Sequence, residues 1–345
     1  HREIPMRGIN KKLNIFIAAA IFLVTYSGST DSKLHAKELK LAHFMPPVHH
    51  LHRNMFVPLA KNLAAATNGK LTIKIYPSGG LGKGPVQQYK RVVTGVADIV
   101  FVIQAYTAKL FPKAMIAGKA GLGKTGEEVT RRIWKVYDKY LADEFTKAKL
   151  LALWGIYPAT LISRKKPIRT LADIKGMKFR LSSAADIPQM KAWGGVGIMM
   201  PVTKTYNALQ NGVIDGIQIA PVALYRPWNF NEPAEYVTHG VNGPSTVMSV
   251  MMNNKSWDGL SKSEQSTLYG LMGKEASIKI ARSWGQDDEK ALKNAENGKG
   301  VKLIRLSPAE AAPFNALTDK ANKEQLAILD KKGIPATEIF NAMMN

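Results

Sequence analysis

Residues 71–80 read Leu-Thr-Ile-Lys-Ile-Tyr-Pro-Ser-Gly-Gly, and residues 98–103 read Asp-Ile-Val-Phe-Val-Ile. In the first stretch Leu71, Ile73 and Ile75 alternate with Thr72 and Lys74, the period of a strand with one buried face, and Pro77-Ser78-Gly79-Gly80 closes it in a turn. The second stretch is apolar on both faces after Asp98, which predicts a central strand covered on either side. Working outward, residues 39–44 read as a strand before them, followed by a helix over 49–67 that stops at Asn68-Gly69. Residues 150–154, 178–181 and 216–219 are further strand candidates, and no sequence repeat is evident. Strands alternating with amphipathic segments predict an α/β fold.

The pattern changes after Asn254. Ser261-Lys262-Ser263-Glu264 is a capping box, and Leu268, Met272, Ala276, Ile280 and Trp284 then recur every four residues. One long helix is predicted from Ser261, continuing through Asp287 toward Asn297, long enough to run across more than one domain. Gly298 and Gly300 end it, residues 301–306 form a short strand, and Ser307-Pro308-Ala309-Glu310 opens the last helical region.

With 345 residues, 46% of them hydrophobic, the chain has material for two cores. The absence of Cys excludes disulfides, thiolate metal sites, a Cys nucleophile and a lipid-anchored Cys. A formal charge of +22 attracts anions, yet it is scattered, with no basic run interleaved with aromatics; nucleic acid is not an expected partner. Near the N-terminus, Arg7, Lys11 and Lys12 precede an apolar stretch over 13–26 whose core, 15–24, is too short to span a bilayer. Residues 1–36 therefore read as a signal peptide cleaved after Leu34-His35-Ala36, which sends the protein to the periplasm.

Gly118-Lys119-Ala120-Gly121-Leu122-Gly123-Lys124-Thr125 satisfies the P-loop pattern. A phosphate-cradling loop needs a buried strand before it and a Mg²⁺-holding Asp at the end of another, and neither is convincing here. The alternative to a glycine-rich surface loop is a nucleotide-binding protein, and the discriminator is whether Lys124 reaches a pocket. His43, His49, His50 and His52 could hold a metal, although no carboxylate is near in sequence; the other reading is a polar loop and helix start. No nucleophile elbow or triad-like grouping is present, so catalysis is unsupported.

Gly176-Met177-Lys178-Phe179-Arg180, then Pro201, Tyr206-Asn207-Ala208-Leu209-Gln210-Asn211-Gly212-Val213-Ile214-Asp215-Gly216 and Pro221, occur in the order found in one family. The chain resembles the DctP-type solute receptors of tripartite ATP-independent periplasmic (TRAP) transporters. The stretch 71–82, Gly95 with Ala97-Asp98-Ile99, and Leu171-Ala172-Asp173-Ile174-Lys175 add matches, so the likeness covers essentially the mature chain.

The resemblance implies two α/β lobes joined by hinge strands, with a long helix bridging both and the ligand between them. Lobe I would hold 37–157 and about 245–283, and lobe II 158–244 and about 284–345, with crossings near Tyr157 and Pro244. It implies a carrier that is no enzyme, needs no cofactor, is a monomer, and passes a small organic acid to TRAP membrane permease subunits. The family's anchoring Arg falls on Arg180, whose guanidinium can grip a carboxylate through two parallel bonds. A second Arg of the sialic-acid-binding members falls on Thr160, their binding Asn on Ile219 and their first-strand Asn on Phe44. All three changes remove polarity, so the pocket is expected to favour a small or aromatic acid. Trp154 and Tyr157 would join Phe44 and Ile219 as walls, and Ile103, Gln104, Ser183 and Val202 complete the expected site.

Overall fold

The computed structural model describes residues 36–345, so the predicted export segment lies outside it save for Ala36. In chain order the strands are β1 (Lys37–Ala42), β2 (Leu71–Tyr76), β3 (Ile99–Ile103), β4 (Lys149–Gly155), β5 (Thr160–Ser163), β6 (Lys178–Leu181), β7 (Val196–Met199), β8 (Gly216–Ile219), β9 (Tyr236–His239), β10 (Val247–Met252) and β11 (Lys302–Arg305). They form two sheets, ordered β2-β1-β3-β10-β4 and β11-β9-β5-β8-β6-β7.

β3 sits in the middle of the first sheet with all five residues buried, as its two apolar faces require. β2, at the edge, keeps the half-buried alternation read from its sequence. β10 arrives from far along the chain and inserts antiparallel between β3 and β4, burying all six of its residues. β1 and β2 are parallel, as are β6, β7 and β8. The helix before β2 runs from His50 to Ala66, close to the expected span, with a π-turn over His52–Phe56 inside it, and Asn68 (φ 49°) and Gly69 (φ 74°) end it in the left-handed region.

The chain passes between the sheets three times, after β4, before β10 and again between β10 and β11, and the first two passages run side by side. Ala159 N–H donates to Pro244 O at 2.9 Å, Ile156 N–H to Thr246 O at 3.2 Å, and Ser245 Oγ to Ile156 O at 2.6 Å. Gly243 has no room for a side chain: a Cβ there would overlap the Ala159 backbone.

The helix read from Ser261 is in fact two. Its capping box opens Lys262–Leu271, but Met272 leaves helical geometry (φ −119°, ψ −142°) and Gly273 (φ 74°) starts a second helix, Gly273–Glu296. The apolar spacing ran through the break because Leu268, Met272, Ile280 and Trp284 are all buried regardless of it. The second helix has 24 residues, about 36 Å of length. It packs on β4 and the helix Gly126–Val136 of the first lobe and on β11 and the turn Pro221–Leu224 of the second. Its Asp288, fully buried, accepts the Val222 N–H at 2.8 Å at the start of that turn.

The helix Pro308–Lys331 lies against the helix Ile187–Ala192 in the second lobe, where Trp193 Nε1 donates to Phe314 O at 2.9 Å. The sequence assigned everything after about residue 284 to that lobe. The last helix, Ala336–Met344, packs on Pro308–Lys331 and also on Gly126–Val136, adding Ile339 and Met343 to the first lobe's core with Ile133. Among the described residues no helix is long and apolar enough to cross a membrane.

Candidate functional site

β6 carries Arg180 into the space between the sheets. The residue is 1% exposed, and its Nε donates to Met200 O at 3.0 Å. Nη2 stands 3.5 Å from the hydroxyl of Tyr106, which comes from the first lobe just beyond β3 and also accepts the Val202 N–H at 3.0 Å. These bonds fix the guanidinium by one edge and leave the Nη1–Nη2 edge for a planar anion. Burial pulls the Arg180 pKa below its ordinary value, while Tyr106 and Asp186 act against that shift. Asp186 itself, one turn beyond β6, is pushed up to about 7 by burial, with Lys119 and Arg180 opposing.

Arg180 lines a cavity with about 500 Å³ of space free of protein atoms, counting its open mouth. Ser182, Thr246 and Tyr106 add hydroxyls near the cation, with Ser182 Oγ and Thr246 Oγ1 3.4 Å apart. The rest of the wall is apolar or aromatic: Phe44, Phe101, Ile103, Ile219, Met248, Trp228 and Trp284, with His49 among them. Arg180 is the one Lys or Arg lining this cavity among the described residues. A buried cation facing an apolar chamber can stabilise a desolvated carboxylate while the apolar walls take the ligand's body.

A family model described as "Bacterial extracellular solute-binding protein, family 7" (DctP) matches residues 41–327. The chain belongs to the DctP family. It is a solute receptor of the TRAP transport class, a family of periplasmic substrate-binding proteins rather than enzymes, whose members bind small organic acids and deliver them to permease subunits. Over 307 residues it is 22% identical to the outer membrane transporter protein TsaT of Comamonas testosteroni, covering 88% of this chain and 89% of the relative. A TRAP solute-binding protein from a marine metagenome, specific for aromatic acids and solved with metahydroxyphenylacetate, superposes with TM-score 0.84 at 23% identity, over 89% of this chain and 97% of that one. One from Bordetella bronchiseptica with bound (R)- and (S)-mandelate gives 0.80 at 25% identity, over 89% and 98%.

Of the residues singled out in this DctP-family chain, Arg180, Phe44, Ile103, Val202 and Ile219 line the cavity and five do not. Trp154 is fully buried and stacks behind Phe101, centroids 5.9 Å apart. Tyr157 donates its hydroxyl to Glu289 of the bridging helix at 2.9 Å. Thr160 Oγ1 is spent on Ile219 O at 3.0 Å, and Gln104 Nε2 on Ser249 Oγ at 2.9 Å. Ser183 Oγ accepts the Ala185 N–H at 3.1 Å and caps a short turn. Strand parity accounts for two of these five: Phe101 and Ile103 share a face of β3 that Gln104 does not, and Arg180 shares a face with Ser182 rather than Ser183. Parity could have recovered Phe101 and Ser182. Tyr106, Trp228 and Trp284 carry no such signal.

The P-loop match fails on geometry. A 3₁₀ turn, Ala114–Gly118, precedes it where a strand is required, Lys124 is exposed, and the Lys124 N–H is bonded at 2.8 Å to the Glu128 carboxylate instead of being free for phosphate. The histidines pair among themselves and with tryptophans. His43 Nε2 lies 3.0 Å from His52 Nδ1, and the His50 ring meets Trp284 edge-on at 4.1 Å. Burial lowers the His43 pKa to about 4, His52 adding to the shift, and lowers His50 to about 3, with Arg53 adding. Among the described residues no group of three or more His, Asp or Glu side chains is placed to hold a metal.

Proposed function

We propose that this receptor takes up a small carboxylic acid with an apolar body, aromatic acids foremost, encloses it between its lobes with the carboxylate on Arg180, and yields it to the permease. One observation carries the proposal: the cavity combines a single buried guanidinium, its Nη edge uncommitted, with walls of Phe44, Phe101, Trp228 and Trp284. The mandelate and metahydroxyphenylacetate bound by structures of the same fold support an aromatic ligand. In this reading the chain is exported, loses its first 36 or so residues, works as a monomer and catalyses nothing. Lobe I comprises 37–157 and about 245–283, and lobe II begins at 158 and includes the bridging helix's second half.

The test is a thermal-shift screen of the purified mature protein with benzoate, mandelate, hydroxyphenylacetates, succinate and glucuronate. A ligand at 100 times its dissociation constant adds about 2.7 kcal/mol of stability, enough for a clear shift. Stabilisation by aromatic monocarboxylates is expected. Stabilisation by glucuronate alone would overturn the apolar-acid assignment.

A further inference from the structure

His49 is 3% exposed and stands in the aromatic part of the cavity wall. Its backbone is held at both ends, the N–H by Pro46 O at 2.9 Å and the carbonyl by the Arg53 N–H at 3.3 Å. Its Nδ1 accepts the Leu51 N–H at 3.1 Å. A backbone amide can only donate, so Nδ1 carries no proton and the neutral ring must carry its proton on Nε2. Burial first, then His50, His43 and Arg53, keeps the ring's pKa well below its ordinary value. Nε2 makes no hydrogen bond among the described residues. The edges of Trp228 and Trp284 flank the ring at centroid distances of 6.2 and 5.8 Å.

The Arg180 end is built from Met200, Tyr106, Ser182 and Thr246, while His49 is set among Trp228, Trp284 and His50. A ligand that fills the cavity displaces water from this wall, and a donor then left without a partner is costly. We infer that His49 donates its Nε2–H to an uncharged oxygen acceptor on the ligand's body, so that the receptor selects carboxylic acids bearing a hydroxyl or carbonyl oxygen over their unsubstituted counterparts. A second carboxylate is disfavoured there because no cation lines that wall. This specificity rests on the reading of the cavity as an acid site.

The experiment is calorimetric titration of wild type, His49→Phe and His49→Gln with benzoate and with 3- and 4-hydroxybenzoate. One neutral hydrogen bond corresponds to a preference of about 3- to 10-fold, so wild type should bind one hydroxybenzoate tighter than benzoate by that factor. His49→Phe should bring the ratio of hydroxybenzoate to benzoate affinity to about one, and His49→Gln, which keeps a donor, should restore part of the preference. A preference unchanged in His49→Phe overturns the role of His49 and leaves the acid reading standing. If none of the three acids binds wild type, both fall. Two-bond ¹H–¹⁵N correlation spectra of the wild-type protein add a test independent of the variants: they should show His49 as the Nε2–H tautomer, and an Nδ1–H tautomer overturns the inference.

Discussion

Replacing Arg180 by Ala removes the one cation of the cavity, and its effect can be sized from the bonds already made. Nε is engaged with Met200 O and Nη2 grazes the Tyr106 hydroxyl, so a ligand carboxylate meets the outer Nη1–Nη2 edge through two charge-assisted bonds. Such bonds contribute about 1.5–3 kcal/mol each, and truncating one member of a buried charge pair costs about 2–5 kcal/mol in binding. Arg180→Ala should therefore weaken binding of the best acid from the screen by roughly 30-fold to several thousand-fold. Arg180→Lys should bind poorly as well, because an ammonium keeps the charge without the planar fork. Folding should survive in both: in the empty receptor this guanidinium is 1% exposed and paired with no carboxylate by a direct bond, so its removal relieves desolvation. The assay is calorimetric titration, with the thermal midpoint of the ligand-free variant measured alongside. Affinity within threefold of wild type in a folded Arg180→Ala protein would refute the assignment of the carboxylate to this residue.

Gly243→Ala should destabilise the protein by about 1–3 kcal/mol in urea titration, since a Cβ must push the two crossing segments apart; an unchanged midpoint would mean the crossing is slack. Tyr106→Phe removes the hydroxyl that takes the Val202 N–H from the opposite lobe, so ligand should bind about 3- to 10-fold more weakly, and small-angle scattering should show a more open apo form; identical affinity and scattering would count against a closing role. Asp186 has a folded pKa raised to about 7, so the folded state holds a proton that the unfolded chain has released above about 4, and its contribution to stability is lost as pH rises through 7. Asp186→Asn should accordingly raise the thermal midpoint relative to wild type at pH 8, by an amount on the order of 4 kcal/mol at most, and bring little gain at pH 4. Comparing variant with wild type cancels the buried histidines, whose lowered pKa values make stability fall as pH drops. An equal effect at both pH values would show that Asp186 does not titrate in this window.

The local alphabet of the fold was legible in the sequence wherever one segment's own periodicity decides its burial. β3 was read as a doubly covered strand because both its faces are apolar, β2 as a strand with one buried face because only one is, and the stop at Asn68-Gly69 because left-handed backbone suits those residues. The motif around Arg180 identified the family, and the family supplied the two-lobed architecture. The short strands β5, β7 and β9 were not read, although the equally short β6 and β8 were, and neither was β10, whose Val-Met run suits a buried helix as well as a strand. The break at Met272 was hidden because an apolar residue every fourth position continues across it.

Only the tertiary structure decided which side chains face the cavity. Trp154 and Trp284 look alike in sequence, yet the first is sealed behind Phe101 and the second forms the wall, because strand pairing and the bridging helix set their directions. Thr160, Gln104 and Ser183 spend their polar atoms on neighbours that only the folded chain brings near. His49 was read as part of a possible metal cluster; the Leu51 amide and the two tryptophans make it a single oriented donor. Burial pattern and backbone preference are properties of neighbours along the chain. A binding site is assembled from segments far apart in sequence, and its members are fixed by how those segments pack.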